Sequence, residues 1–78
     1  MTATNFKSIT IIEEDYSGKT RKFTIIWNAT GDIVGEINWC GSWQKYCLYT
    51  TNSKALFDSN SLHDICTFMD KLMEERKK

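Results

Sequence analysis

The residues best suited to chemistry lie between Trp39 and Tyr49. Four aromatic rings (Trp39, Trp43, Tyr46 and Tyr49) stand there among Cys40, Cys47 and Lys45. Rings beside a lysine and an asparagine suit a purine, another planar ligand or a protein partner. The ring face attracts cations and flat ligands, and large aromatics anchor interfaces. Trp39 and Tyr46 alternate with polar neighbours and read as core. Trp43 sits in a loop between polar residues, where burial has no support. The candidate ligand- or partner-binding residues are therefore Trp43, Lys45, Tyr49, Asn38 and Cys47.

Other constellations are weaker. Gly18-Lys19-Thr20 resembles the tail of a phosphate loop, but Glu13 stands where its first glycine belongs. A hairpin turn explains it better. His63 and Cys66 are one helical turn apart, as a thiol–imidazole pair would be. Cys66 falls on an apolar stripe, though, where cysteine behaves as a small hydrophobe. Three cysteines and one histidine form no CxxC-type knuckle, so no metal site is expected. Asp32 and Glu36 share a strand face on this reading, roughly 13 Å apart along it, too far for a paired acid and base. No catalytic residue, cofactor or metal ligand is assigned, and the chain is read as not an enzyme.

These residues are positioned by a sheet and a helix. Strand patterns cover Ser8–Glu14, Arg21–Asn28, Ile33–Cys40 and Lys45–Thr51. Asp15-Tyr16-Ser17-Gly18 reads as a turn. A three-residue loop with Gly31 left-handed would pair Trp27 with Ile33, Ile25 with Gly35 and Phe23 with Ile37. It puts Ile33, Ile37 and Trp39 inward. A four-residue connection, Gly41–Gln44, pairs Trp39 with Tyr46 and Ile37 with Leu48. Tyr49, Cys47, Lys45, Cys40 and Asn38 then share the outer face with Ile26, Val34 and Thr24. Such a half-apolar face suggests a partner.

A helix over 59–76 follows, with Ser61 as its N-cap and Asp64 as the capping acid. Leu62, Ile65, Cys66, Met69, Leu72 and Met73 form its apolar stripe. The expected fold is α+β: an antiparallel three- to four-stranded meander with one C-terminal amphipathic helix packed on one face. Residues 1–78 make one domain, of which 1–7 are a polar lead-in, 8–51 the sheet and 59–76 the helix.

Composition narrows the function. The chain has 78 residues, 41% hydrophobic and 26% charged, and its formal net charge is zero. That balance removes the bulk electrostatic argument for nucleic acid or an anionic membrane. The basic group Lys19, Arg21 and Lys22 is offset by Glu13, Glu14 and Asp15. No apolar run reaches the length of a membrane span. The three cysteines have no framework spacing, and residues 1–7 lack the apolar core of a secretion signal. Reduced thiols in the cytoplasm are expected. A domain this small buries only about 60–65% of its unfolded surface. A second subunit would cover more, so a homo-oligomer is expected.

The stretch Ile25-Ile26-Trp27-Asn28, Gly31-Asp32, Gly35-Glu36-Ile37, Trp39 and Trp43-Gln44-Lys45-Tyr46-Cys47-Leu48-Tyr49 resembles a family of small phage and prophage proteins. The resemblance resumes at Phe57-Asp58 and from Leu62-His63-Asp64-Ile65 to Phe68. Gln44 stands where that family often has arginine, and Thr50 where it often has proline. The resemblance implies a counter-defence factor. The form expected first sequesters a nucleotide-derived immune signal in a homo-oligomer. The other inhibits a host defence protein, such as a CRISPR effector, by direct contact.

Overall fold

The computed structural model describes residues 3–14 and 20–76. The turn expected at residues 15–18 and the Lys19 reading lie outside the described residues. Among the described residues five strands run in chain order: β1 (Ala3–Asn5), β2 (Ile9–Glu13), β3 (Phe23–Trp27), β4 (Ile33–Cys40) and β5 (Lys45–Thr50). One helix, α1 (Ser59–Arg76), follows them. Each strand pairs antiparallel with the next, so the sheet is a β1-β2-β3-β4-β5 meander.

The class is the expected α+β, with five strands where three to four were expected. The extra strand comes from the segment read as a polar lead-in. Thr4 pairs with Ile11 and Asn5 with Thr10, covering an edge that β2 would otherwise leave open. The Thr10 hydroxyl fastens it, donating to Asn5 Oδ1 at 3.0 Å.

Alternation turns one face of the sheet toward the helix side. Ile9, Ile11, Phe23, Ile25, Ile37 and Tyr46 are buried there, with Ile65 and Leu72 of α1 above them. Phe23 meets Phe68 edge-on at 5.1 Å, and Trp39 meets Tyr46 at 5.3 Å. Removing this apolar area from water is the main favourable contribution to folding.

The β3–β4 hairpin corrects one expectation in two places. Gly31 is left-handed (φ 78°), as expected, but the loop has four residues, Asn28–Gly31. The Trp27 N–H therefore donates to the Asp32 carbonyl at 2.9 Å, and Ile26 faces Ile33. A β-bulge between Ile25 and Ile26 then adds Val34 to β4, restoring Ile25 opposite Gly35 and Phe23 opposite Ile37. The two slips cancel in the core. They exchange two side chains near the loop: Val34 is buried, while Ile33 is 54% exposed on the outer face. Asp32 and Glu36 are also parted, lining depressions with Val34 and with Ile33 respectively.

Gly35 faces the crowded side of the bulge. A methyl group there would meet the Tyr49 carbonyl oxygen at 3.1 Å and Leu48 Cδ1 at 3.2 Å. That close approach explains the glycine opposite Ile25.

The helix begins earlier than a Ser61 cap would allow. Asp58 is the N-cap: the Ser61 N–H donates to Asp58 Oδ1 at 2.8 Å, and the Asp58 N–H donates to Ser61 Oγ at 3.0 Å. This reciprocal pair is a capping box with serine in the place of glutamate. The sheet-facing stripe is Ser61, Ile65, Phe68 and Leu72. Leu62 and Cys66, expected inward, are exposed. At the far end Arg76 lies over the Trp39 ring, 3.8 Å from its centroid. Arg21 ties sheet to helix, with Glu13 at 2.8 Å and Glu75 at 3.6 Å.

Asp58→Ala should lower stability by about 1 kcal/mol through loss of the cap, read as a lower urea midpoint with unchanged slope. The Ser61 N–H and hydroxyl hold the Asp58 carboxyl below its ordinary range, and the Arg21 hydrogen bond does the same for Glu13. With folded values below unfolded ones, that stability is present above the ordinary carboxylate range. It is lost as pH falls through the folded values. Urea midpoints should therefore fall on acidification, and Asp58→Asn with Glu13→Gln should flatten the decline.

Candidate functional site

The β4–β5 hairpin carries the candidate residues. Its register is the expected one: Asn38 faces Cys47, Trp39 faces Tyr46 and Cys40 faces Lys45. The four-residue turn Gly41–Gln44 closes on a left-handed Gln44 (φ 56°), whose amide donates to the Gly41 carbonyl at 2.7 Å. That turn presents Trp43, which is 67% exposed.

Asn38, Cys40, Cys47 and Tyr49 share the outer face by alternation, away from α1. Tyr49 is 43% exposed, while Asn38 and the two cysteines are half-buried. Lys45 departs from this arrangement: it lines a groove on the helix side. Val34, expected on the outer face, is in the core, and Ile33 has taken its place. The rest of the outer face mixes Ile12, Ile26 and Ile33 with polar pairs. Lys22 Nζ lies 3.2 Å from Glu36, and the Thr24 hydroxyl donates to Glu14.

Two diagonal thiols make the densest chemistry. Cys40 Sγ lies 3.4 Å from Ser42 Oγ. The Ser42 hydroxyl and the Trp43 backbone N–H hold the Cys40 thiol below its ordinary range, and the Tyr49 hydroxyl adds to them. These are the donors a thiolate needs. Burial pushes Cys47 the other way, and neighbouring Cys40 pushes it further. The hydrogen bond to Cys40 likewise raises Tyr49, whose phenolic proton it retains.

Sequence reasoning reached Trp43, Tyr49, Asn38 and Cys47 on this hairpin. It missed Ser42 as a thiol partner, for which the only signal is a hydroxyl two residues after a cysteine. It also missed the groove. This is an open apolar channel of about 580 Å³ between β5 and α1, lined by Leu48, Leu62, Ile65 and Met69, with Lys45 and Asp70 at its rim. The Cys66 thiol donates to Asp70 Oδ2 at 3.8 Å, one turn further along the helix and away from His63. Among the described residues no group of three or more His, Cys, Asp or Glu side chains could hold a metal ion. No helix among them is long and apolar enough to cross a membrane.

Over 67 residues the chain is 31% identical to an uncharacterised 9.3 kDa protein of Acholeplasma phage L2, covering 85% of each chain. No family model and no solved structure matches it.

Near neutral pH a substoichiometric alkylating agent should modify Cys40 ahead of Cys47, read by peptide mass spectrometry. Ser42→Ala should slow labelling of Cys40 several-fold. Equal rates at the two thiols would show that Ser42 and Trp43 do not favour the Cys40 thiolate.

Proposed function

The chain belongs to the family of that small phage protein, and from this premise we propose that it is a non-enzymatic binding protein that counters host antiviral defence. It acts in the host cytoplasm by contact, with Trp43 and Tyr49 as anchors in a defence protein. The single observation that supports this reading is Trp43, 67% exposed at the hairpin tip. A large ring standing out from a surface enters a partner's pocket rather than lining its own. Such rings lead the short list of residues that carry interface energy. Tyr49 extends the contact along the outer face, with Asn38 and Cys47 beside it.

The step from a phage protein of this size to defence is an analogy of origin and size. The contact chemistry stands without it. A second reading, uptake of a nucleotide-derived signal between copies of the chain, draws on the same exposed rings. Either face can stack a base, at about 1–3 kcal/mol each.

Tagged wild type should recover one dominant protein from host extract, and Trp43→Ala should lose it at least tenfold with an unchanged thermal transition. Wild-type recovery by the variant rejects the anchor. A thermal shift with cyclic dinucleotides or cyclic ADP-ribose derivatives, lost in Trp43→Ala, would favour the second reading instead.

A further inference from the structure

The β5 edge is built to pair. The Thr51 N–H donates to the Val34 carbonyl, so with the β4–β5 register the residues bonded to β4 are 45, 47, 49 and 51. Tyr46, Leu48 and Thr50 therefore turn their backbone N–H and C=O groups outward. β5 is the last strand of the sheet, so no strand among the described residues meets them. Natural edges are usually blunted by shortness, proline or charge. The opposite edge follows that rule, since β1 has three residues, Ala3–Asn5. β5 has six, with no proline and no charge from Tyr46 to Thr50.

We propose that a second copy of this chain pairs antiparallel with β5 about a two-fold axis through Leu48. This inference does not depend on the proposed function. Only an extended strand satisfies alternating donors and acceptors along an edge, and β5 itself is complementary. Of the registers that hydrogen-bond outward-facing residues to one another, one uses all three: Leu48 opposite Leu48 of the partner subunit, and Tyr46 opposite Thr50 of the partner subunit.

Three further features favour the second copy over a foreign segment. The paired stretch is uncharged, so like charges do not meet across the axis. The apolar groove beside β5, with Leu48 half-buried and Leu62 46% exposed, runs along the same edge. Two-fold pairing brings the two grooves together over the axis, where Leu48 and Leu62 of each subunit cover the other's. On the outer face the same register sets Cys47 beside Tyr49 of the partner subunit, so the aromatic surface continues from one subunit to the next.

The test uses mass and register. Wild type should have twice the 9.1 kDa chain mass by native mass spectrometry and light scattering in the micromolar range. Thr50→Pro removes an outward N–H from an exposed residue without touching the β4–β5 ladder. It should give 9.1 kDa particles with the wild-type circular dichroism spectrum. Tyr49→Cys, with Cys40 and Cys66 replaced by serine, reads the register. Its introduced thiol faces the partner's Cys47 in a non-hydrogen-bonded pair, where the Cα separation of about 4.5 Å suits a disulfide. Mild oxidation should yield covalent dimer, and adding Thr50→Pro should prevent it. A monomeric wild type, a dimer that survives Thr50→Pro, or absence of cross-linking would each overturn the proposal. So would a monomer that takes up an extended peptide along β5.

Discussion

One helix must cover five strands. An α-helix with its side chains is about 10–12 Å wide, while five strands about 4.8 Å apart span roughly 19 Å. The helix therefore covers part of the inner face and leaves the rest. It is held near the sheet's centre by Phe68 on Phe23, and at its end by Arg76 on Trp39 and Glu75 near Arg21. Among the strands, β5 is the one α1 approaches most extensively, and the groove opens between those two elements. Leu48 of β5 and Leu62 and Met69 of α1 line it, apolar side chains that the single helix leaves partly open to solvent. The open edge has a separate cause in the plane of the sheet: β5 ends the strand order, so no further strand among the described residues pairs with it.

Much of the fold was legible because apolar alternation fixes register wherever one face is buried. The pairs Trp39–Tyr46 and Ile37–Leu48 followed from a four-residue turn and a single inner face. The β3–β4 hairpin shows where that logic stops. A three-residue loop with a regular ladder and a four-residue loop with a bulge put the same residues in the core at Phe23 and Ile37. They differ at Ile33 and Val34, which are both apolar and β-branched, so hydropathy could not choose between them. Backbone geometry did: the hydrogen bond from the Trp27 N–H to the Asp32 carbonyl closes a four-residue loop, and the ladder then needs one extra residue to bring Ile25 opposite Gly35.

The helix was misread in phase rather than in kind. Asp58 and Ser61 are both good N-caps, and spacing cannot say which one bonds the other's N–H. Moving the cap to Asp58 puts Ser61 inside the helix, on the buried side. The inward stripe then runs through Phe68, and Leu62 and Cys66 turn out. That rotation converts two supposed core residues into a groove wall and an exposed thiol. The thiol environment at Cys40 was only half visible. Register makes Cys40 and Cys47 diagonal neighbours, but the approach of Ser42, the Trp43 N–H and Tyr49 depends on a turn closed by a left-handed Gln44. A left-handed non-glycine residue is rarely predictable from its type.

The exposed features converge on one hairpin, and the reason is physical. β4 is the longest of the described strands, paired on both sides, and its pairs with β3 at Phe23–Ile37 and Ile25–Gly35 are buried. That anchoring holds the hairpin rigid while its far strand and its turn stay uncovered. Trp43 is thus carried on a short turn that the Gln44 side-chain amide closes by donating to the Gly41 carbonyl. A ring held this way loses little conformational entropy on binding, which makes it a better anchor than the same ring on a free loop. Leu56 makes the contrast: it is 80% exposed but sits in an irregular segment between β5 and α1. Exposure alone does not distinguish the two residues. The rigid strand pair beneath Trp43 does, and it ties the contact surface to the fold's central constraint.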